Sequence, residues 1–261
     1  MRPTTDKAKE LSIDEYMAEV GVDMLHAGGT QRTDELASMC KISKDKTVLD
    51  IGCGYGKTAC YLAKKHRCKL VGIDLSEKMI YGARKKMKKE GLGDLVHFQV
   101  GNAENLLFED ESFDVVISEG TTVLVNKKKA VNEYMRITKS GGCIGLNELS
   151  WTKKPSKELI DKTYTELQGM KPLENKEWIK LLADSGLENI KTASYKYNSF
   201  SFKVIRSIGF RPLVKVCRVY ISNSRIRRWI NRQESVFRDY SEYWSYSLCA
   251  GQKKHGGRLT S

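Results

Sequence analysis

Over the first 150 residues, short apolar runs alternate with amphipathic stretches. The runs at 47–51, 69–73, 96–100, 113–118 and 143–148 are rich in Val, Ile and Leu and are bounded by Gly, Asp, Asn or Ser, which predicts strands. The stretches 57–65, 76–89 and 128–137 place apolar residues three or four apart, which predicts helices. Ser76 stands where an N-cap is needed, and Lys139-Ser140-Gly141-Gly142 reads as the turn that closes the helix before strand five. Alternation of this kind implies parallel strands joined by right-handed crossovers, hence an α/β fold.

Upstream, 13–40 reads as helical with a break at Gly28-Gly29. After Trp151 the rhythm changes. Helices are predicted at 156–167 and 175–185, strand six at 187–197 and strand seven at 246–252. Pro212 is expected to split any helix between them into two short pieces.

Chemistry enters at the turn after strand one, where Asp50-Ile51-Gly52-Cys53-Gly54-Tyr55-Gly56 leads into a helix. Glycine permits positive φ and a close approach of backbone to ligand. Spacing separates the cofactor classes that use such a loop. A dinucleotide fingerprint GxGxxG needs its third glycine where Lys57 stands, and a phosphate loop GxxxxGK[ST] needs its first where Ile51 stands. What remains is Asp-x-Gly-x-Gly-x-Gly, and in this the chain resembles the class I S-adenosylmethionine-dependent methyltransferases.

The resemblance covers residues 45–150 well and rests on further elements. Asp74 ends strand two, where a carboxylate can accept both hydroxyls of a ribose; the resemblance implies that role, with Leu75 beside it and Met79 either near the adenine or in the core. Gly101-Asn102-Ala103-Glu104 follows strand three, and the resemblance places Asn102, Ala103 and Glu104 near the adenine. Asp114 opens strand four in a structural role, and Glu119 follows it, past the carboxyl end where ligands of open α/β sheets bind. Thr138 to Gly142 matches the family turn, with Ser140 in place of its proline. The implied cofactor is S-adenosylmethionine, the product S-adenosylhomocysteine, and the implied cofactor site is Asp50, Gly52, Cys53, Gly54, Gly56, Asp74, Leu75, Met79, Asn102, Ala103, Glu104 and Glu119.

Methyl transfer is an in-line displacement in which alignment does most of the catalysis, and a base is needed only for a protonated nucleophile. Glu119 and His26 are the candidates for that base, and Tyr16, His26 and Glu148 for contact with the acceptor. Ser118-Glu119-Gly120-Thr121 departs from the Asn-Pro-Pro-Tyr of nucleobase amino-methyltransferases. The pattern resembles the type 11/25 small-molecule group, which includes quinone, sterol and phosphoethanolamine enzymes. A small-molecule or lipid-like acceptor is therefore expected. RNA methylation and a non-catalytic, cofactor-binding regulatory role are the alternatives.

Charge is unevenly spread. Of the net +13, residues 151–261 carry 22 Lys+Arg against 10 Asp+Glu, and Lys191 to Gln233 holds eleven basic residues and no acidic one. Three readings stay open for this stretch: a helical lid with a solvated basic face, a surface that contacts anionic membrane, or a nucleic-acid face, the less favoured. Seven cysteines without a CxxC pair, and only four histidines, argue against a metal site and for reduced, mostly buried thiols. The polar N-terminus and the lack of a spanning apolar run lead to the expectation of a cytoplasmic protein, with room for peripheral membrane contact. The oligomeric state is left open.

The expected architecture is thus a Rossmann-like, mostly parallel sheet of seven strands with helices on both faces. An N-terminal helical cap (1–45) precedes the S-adenosylmethionine-binding core (46–150). The rest of the core (151–197), a basic aromatic insertion (198–243) and a last strand with its tail (244–261) follow.

Overall fold

The computed structural model describes His26 and residues 28–197, 214, 217, 218 and 220–256. Tyr16, Pro212, most of the predicted cap helix and the end of the tail lie outside them.

The elements run α1 (Gly29–Met39), β1 (Thr47–Ile51), α2 (Lys57–His66), β2 (Lys69–Asp74), α3 (Glu77–Lys89), β3 (Val96–Val100), β4 (Phe113–Glu119), α4 (Lys127–Ile137), β5 (Thr138–Trp151), α5 (Lys157–Glu166), β6 (Leu173–Glu174), α6 (Asn175–Asp184), β7 (Leu187–Lys196), α7 (Ser224–Asp239) and β8 (Trp244–Lys253). The strands form one sheet in the order β3-β2-β1-β4-β5-β8-β7, with β6 pairing β5 at the side. Pairing is parallel from β3 to β5, and β8 runs antiparallel to both β5 and β7. The chain leaves β1 toward β2 on one side and returns as β4 on the other. That reversal opens a crevice beyond the carboxyl ends of β1 and β4, where such sheets bind ligands.

Each face of the sheet carries its own apolar cluster. Leu36, Ala37, Leu62, Ala63, Ile80 and Ala83 of α1, α2 and α3 pack with Leu70 and Phe98 on one side. Val131, Tyr134, Leu159, Trp178, Leu182 and Val236 of α4 to α7 pack on the other. Side chains of this size contribute roughly 1.5–3 kcal/mol each on full burial. α1 lies close on β5 because Gly145 has no side chain: a Cβ there would stand 2.6 Å from Cys40 Sγ and 3.0 Å from Leu36 Cδ1. Asp114 has the structural role expected of it, accepting from Thr47 N at 2.9 Å and from Lys139 Nζ at 3.1 Å.

Three features differ from the sequence expectation. The turn 139–142 does not end before strand five but lies inside it: β5 starts at Thr138, and its register against β4 shifts between Phe113↔Thr138 and Val115↔Cys143, so the glycines form a bulge. The last strand begins at Trp244 rather than Tyr246, extended by the pairing Trp151↔Trp244, whose rings lie 4.3 Å apart. A two-residue strand, β6, adds an eighth. Six of the seven cysteines are buried, Cys217 is exposed, and none forms a disulfide. Among the described residues no helix is long and apolar enough to cross a membrane.

Candidate active site

The three glycines after β1 all take positive φ, +70° at Gly52, +51° at Gly54 and +72° at Gly56. They serve different ends. A Cβ on Gly52 would lie 1.9 Å from Thr121 Oγ1, and one on Gly56 would lie 2.5 Å from Phe98 Cζ, whereas one on Gly54 would meet nothing within 4 Å. Gly52 and Gly56 thus let the loop pack closely, and Gly54 presents bare backbone to open space. Asp74 braces that backbone: Gly54 N donates to its Oδ2 at 3.0 Å and Ser76 N to its Oδ1 at 2.9 Å. Ser76 is the N-cap the sequence predicted, its Oγ accepting from Met79 N at 3.2 Å.

Asp50, Gly52, Cys53, Gly54, Asp74, Leu75, Met79, Asn102, Ala103, Glu119 and His26 come together around one cavity of about 920 Å³. Three other sequence candidates do not line it. Gly56 is turned to the core, against Phe98 and Ala83. Glu104 points away: its Oε1 accepts from Asn126 N at 2.8 Å, tying the loop after β3 to the start of α4, while its own N–H is taken by Asn102 Oδ1 at 2.9 Å. Glu148 lies on the opposite face of β5. In a strand, successive side chains alternate, and β5 pairs Asn147 with Glu119, so Asn147 faces the cavity side and Glu148 the other.

Glu119 forms the polar centre. It is buried, and Thr33 Oγ1 (3.0 Å) and Thr58 Oγ1 (3.3 Å) donate to its Oε2, while Asn147 Nδ2 donates to its Oε1 at 3.0 Å. His26 Nε2 stands 3.6 Å from Oε2, and His26 Nδ1 is 3.4 Å from Asn147 Nδ2. Asp50 lies deeper, 2% exposed, and its Oδ2 has no hydrogen-bond partner. Burial pushes its carboxyl well above the ordinary range, and the nearby Glu119 and Asp74 push it further. The carboxyl groups of Asp50, Asp74 and Glu119 thus converge on the glycine-loop side of one cavity.

The other half of the lining comes from far along the chain: Leu167, Gln168, Met170, Tyr197, Trp229, Gln233 and Phe237, with Leu124 and Val125 after β4. α7 is a continuous helix whose inward side carries the last three aromatic and amide groups over the cavity. It is anchored by buried Ile226 and Val236 and by ring contacts of Phe237 with Tyr197 (4.5 Å) and Trp244 (5.0 Å). None of these residues, nor Thr33, Thr58 or Asn147, was a sequence candidate. Only Asn147 left a usable signal there, since pairing strand five with strand four sets it beside Glu119.

Glu148 works beneath the cavity. Its Oε1 accepts from Ser118 Oγ (3.1 Å) and Thr122 N (2.9 Å), and its Oε2 from Val123 N (3.1 Å), which holds the 3-10 turn Thr122–Leu124 in place. Burial raises its pKa from 4.5 to about 7, against these hydrogen bonds. Between those two values the folded protein holds a proton the unfolded chain has released, so this group's contribution to stability is full below 4.5 and is lost as pH rises through 7. The loss amounts to about 3 kcal/mol. Glu148→Gln, which cannot ionise, is expected to flatten that part of the stability profile, measured by urea unfolding at pH 5 and pH 8. Equal slopes in the two proteins would show that Glu148 does not titrate as its burial requires.

Known proteins are similar to this chain in sequence and in fold. A methyltransferase domain family model matches residues 48–142. An uncharacterized protein of Haemophilus influenzae is 32% identical over 243 residues, 91% of this chain and 96% of that one. Phosphoethanolamine N-methyltransferase 1 of Arabidopsis thaliana is 29% identical over 70% of this chain, which spans 37% of that enzyme's length. Phosphoethanolamine N-methyltransferase 2 of Haemonchus contortus, solved with phosphomonomethylethanolamine and S-adenosylhomocysteine, superposes with a TM-score of 0.72 at 18% identity over 93% of this chain and 57% of that one. With its glycine loop, its strand-two aspartate and this sheet order, the chain belongs to the class I methyltransferases, enzymes whose cofactor is S-adenosylmethionine.

Proposed function

We propose that the protein methylates a small, apolar or lipid-like acceptor, with Glu119 and His26 at the point of transfer. The observation that carries this reading is the divided cavity, acidic along the glycine loop and apolar and aromatic under α7.

The acidic half fits the cofactor. Asp74 lines the cavity at the end of β2, where a carboxylate can accept ribose hydroxyls, and it braces Gly54 and Ser76. Gly54 leaves room for close approach. Asp50 offers a buried carboxyl oxygen without a partner, suited to a hydrogen bond with a ligand. Leu75, Met79, Asn102 and Ala103 complete the wall on the adenine side. When bound, S-adenosylmethionine supplies a methyl group already activated on a sulfonium.

The chain's own residues then have two tasks. Leu124, Leu167, Met170, Tyr197, Trp229 and Phe237 bury the acceptor's apolar body and exclude water from the site. Glu119 Oε2, beside His26 Nε2, takes the proton that an O–H or N–H nucleophile must lose. Among the described lining residues the basic side chains besides His26 are Lys57 and Lys78, both at the starts of helices on the glycine-loop side. The described lining under α7 is apolar and aromatic with two amides, which suits an acceptor with an apolar body. A carboxylate–histidine pair facing a roomy apolar compartment is more than cofactor storage alone would need, and the compartment's apolar lining suits a lipid better than a nucleotide.

Calorimetric titration tests the reading. S-adenosylmethionine and S-adenosylhomocysteine are both expected to bind with one site per chain, and lipids and quinones are the first acceptors to assay. Absence of binding by either would reject the assignment of the acidic half.

A further inference from the structure

The exposed flank of α7 beside its cavity-lining side has a character of its own. Arg225, Arg228 and Arg232 are all exposed, and their spacing places them along one side of the helix. None of the three forms an ion pair among the described residues, although Arg238 at the far end pairs with Asp239. Just before the helix, Ile221 is 73% exposed. Arg227 fixes Ile221 next to the helix, its Nη1 donating to the carbonyls of Tyr220 and Ile221 at 3.4 and 3.1 Å. One helix thus roofs the cavity with Trp229, Gln233 and Phe237 and carries a row of exposed arginines on an adjoining flank, with exposed Ile221 just before its start.

We propose that this outer face docks the protein on an anionic lipid surface and so holds the cavity beside the bilayer that supplies an apolar acceptor. Unpaired arginines complement lipid phosphates and an anionic leaflet, and the exposed Ile221 near the helix start can enter the interface, as apolar residues of surface helices do. A single-stranded nucleic acid would instead call for outward aromatic rings on which bases stack. Here Trp229 and Phe237 of α7 line the cavity. The benefit of docking, delivery of the acceptor, rests on the function proposed above, whereas the docking itself is read without turnover.

The test is co-sedimentation of the full chain with vesicles of phosphatidylcholine alone or mixed with phosphatidylglycerol, across a range of salt. Binding is expected to the mixed vesicles only and to weaken as salt rises. The triple variant Arg225→Glu, Arg228→Glu, Arg232→Glu is expected to lose about a hundred-fold or more in partition, at roughly five-fold for each charge removed. Ile221→Asp, which keeps every arginine, is expected to lose about ten-fold. Equal partition onto both kinds of vesicle, or wild-type partition by the triple variant, would overturn the proposal. So would displacement of the protein from vesicles by single-stranded RNA at matched charge, which would reassign the face to nucleic acid. S-adenosylhomocysteine affinity is expected to be the same in the triple variant and the wild type. Its absence from both would count against the proposed function and leave the docking result standing.

Discussion

Glu119→Gln is expected to lower kcat by about 10²–10⁴-fold, the range a positioned general base supplies, while leaving S-adenosylhomocysteine affinity within a few-fold of wild type. The amide matches the carboxylate in shape but cannot take a proton. Thr33 and Thr58 donate to Oε2, and their hydroxyls can rotate to accept from an amide instead, so the pocket keeps its form. Asn147 Nδ2 still finds an oxygen at the Oε1 position. Removing the charge also relieves Asp50, whose carboxyl Glu119 helps to push up. The split between kcat and cofactor affinity is the informative readout, taken with an acceptor identified by screening. An unchanged kcat would mean that Glu119 only balances positive charge in the cavity and that the nucleophile arrives without a proton to lose.

Asp74→Ala is expected to weaken S-adenosylhomocysteine binding by about a hundred-fold or more, since hydrogen bonds to a charged group contribute about 1.5–3 kcal/mol each and a ribose has two hydroxyls to offer. The structure adds a second source of loss. Asp74 also fixes the Gly54 and Ser76 amides, so its removal frees the loop that must meet the ligand. Asp74→Asn should fall between wild type and alanine, because it keeps one acceptor oxygen and misdirects one N–H. Calorimetry measures all three proteins. Equal affinity in Asp74→Ala and the wild type would remove Asp74 from the cofactor site.

The two substitutions act on parts of the site that were unequally legible. Asp74 and the glycine loop are local features. A strand that ends in Ile51 and turns at once into a helix demands positive φ at Gly52, Gly54 and Gly56, and only glycine adopts that readily, so spacing alone excluded the competing loops. The strand-two aspartate follows from the same βαβ unit. Glu119 could be placed at the end of β4, but its surroundings could not, because Thr33, Thr58 and Asn147 reach it from α1, α2 and β5.

The two carboxylates that do not line the cavity share one cause. Glu104 came from the family motif after strand three and Glu148 from its place after strand five, yet each carboxylate went to backbone amides nearby, Asn126 N for one and Thr122 N and Val123 N for the other. The bulge in β5 arises from its register against β4, and the extension of β8 from pairing with a strand about a hundred residues earlier in the chain.

The sequence by itself determined most of the strands and helices and the glycine loop with its aspartate, since these depend on backbone angles and side-chain period within a few dozen residues, and the cofactor class followed from the family those motifs resemble. It also showed that the positive charge gathers late in the chain. The tertiary structure alone decided that α7 packs across the cavity, its aromatic side forming part of the lining and its arginines left to solvent. That outcome depends on where burial is available for Ile226, Val236 and Phe237. The apolar surface that receives them is assembled only when the strands close into one sheet, so no local pattern could record it.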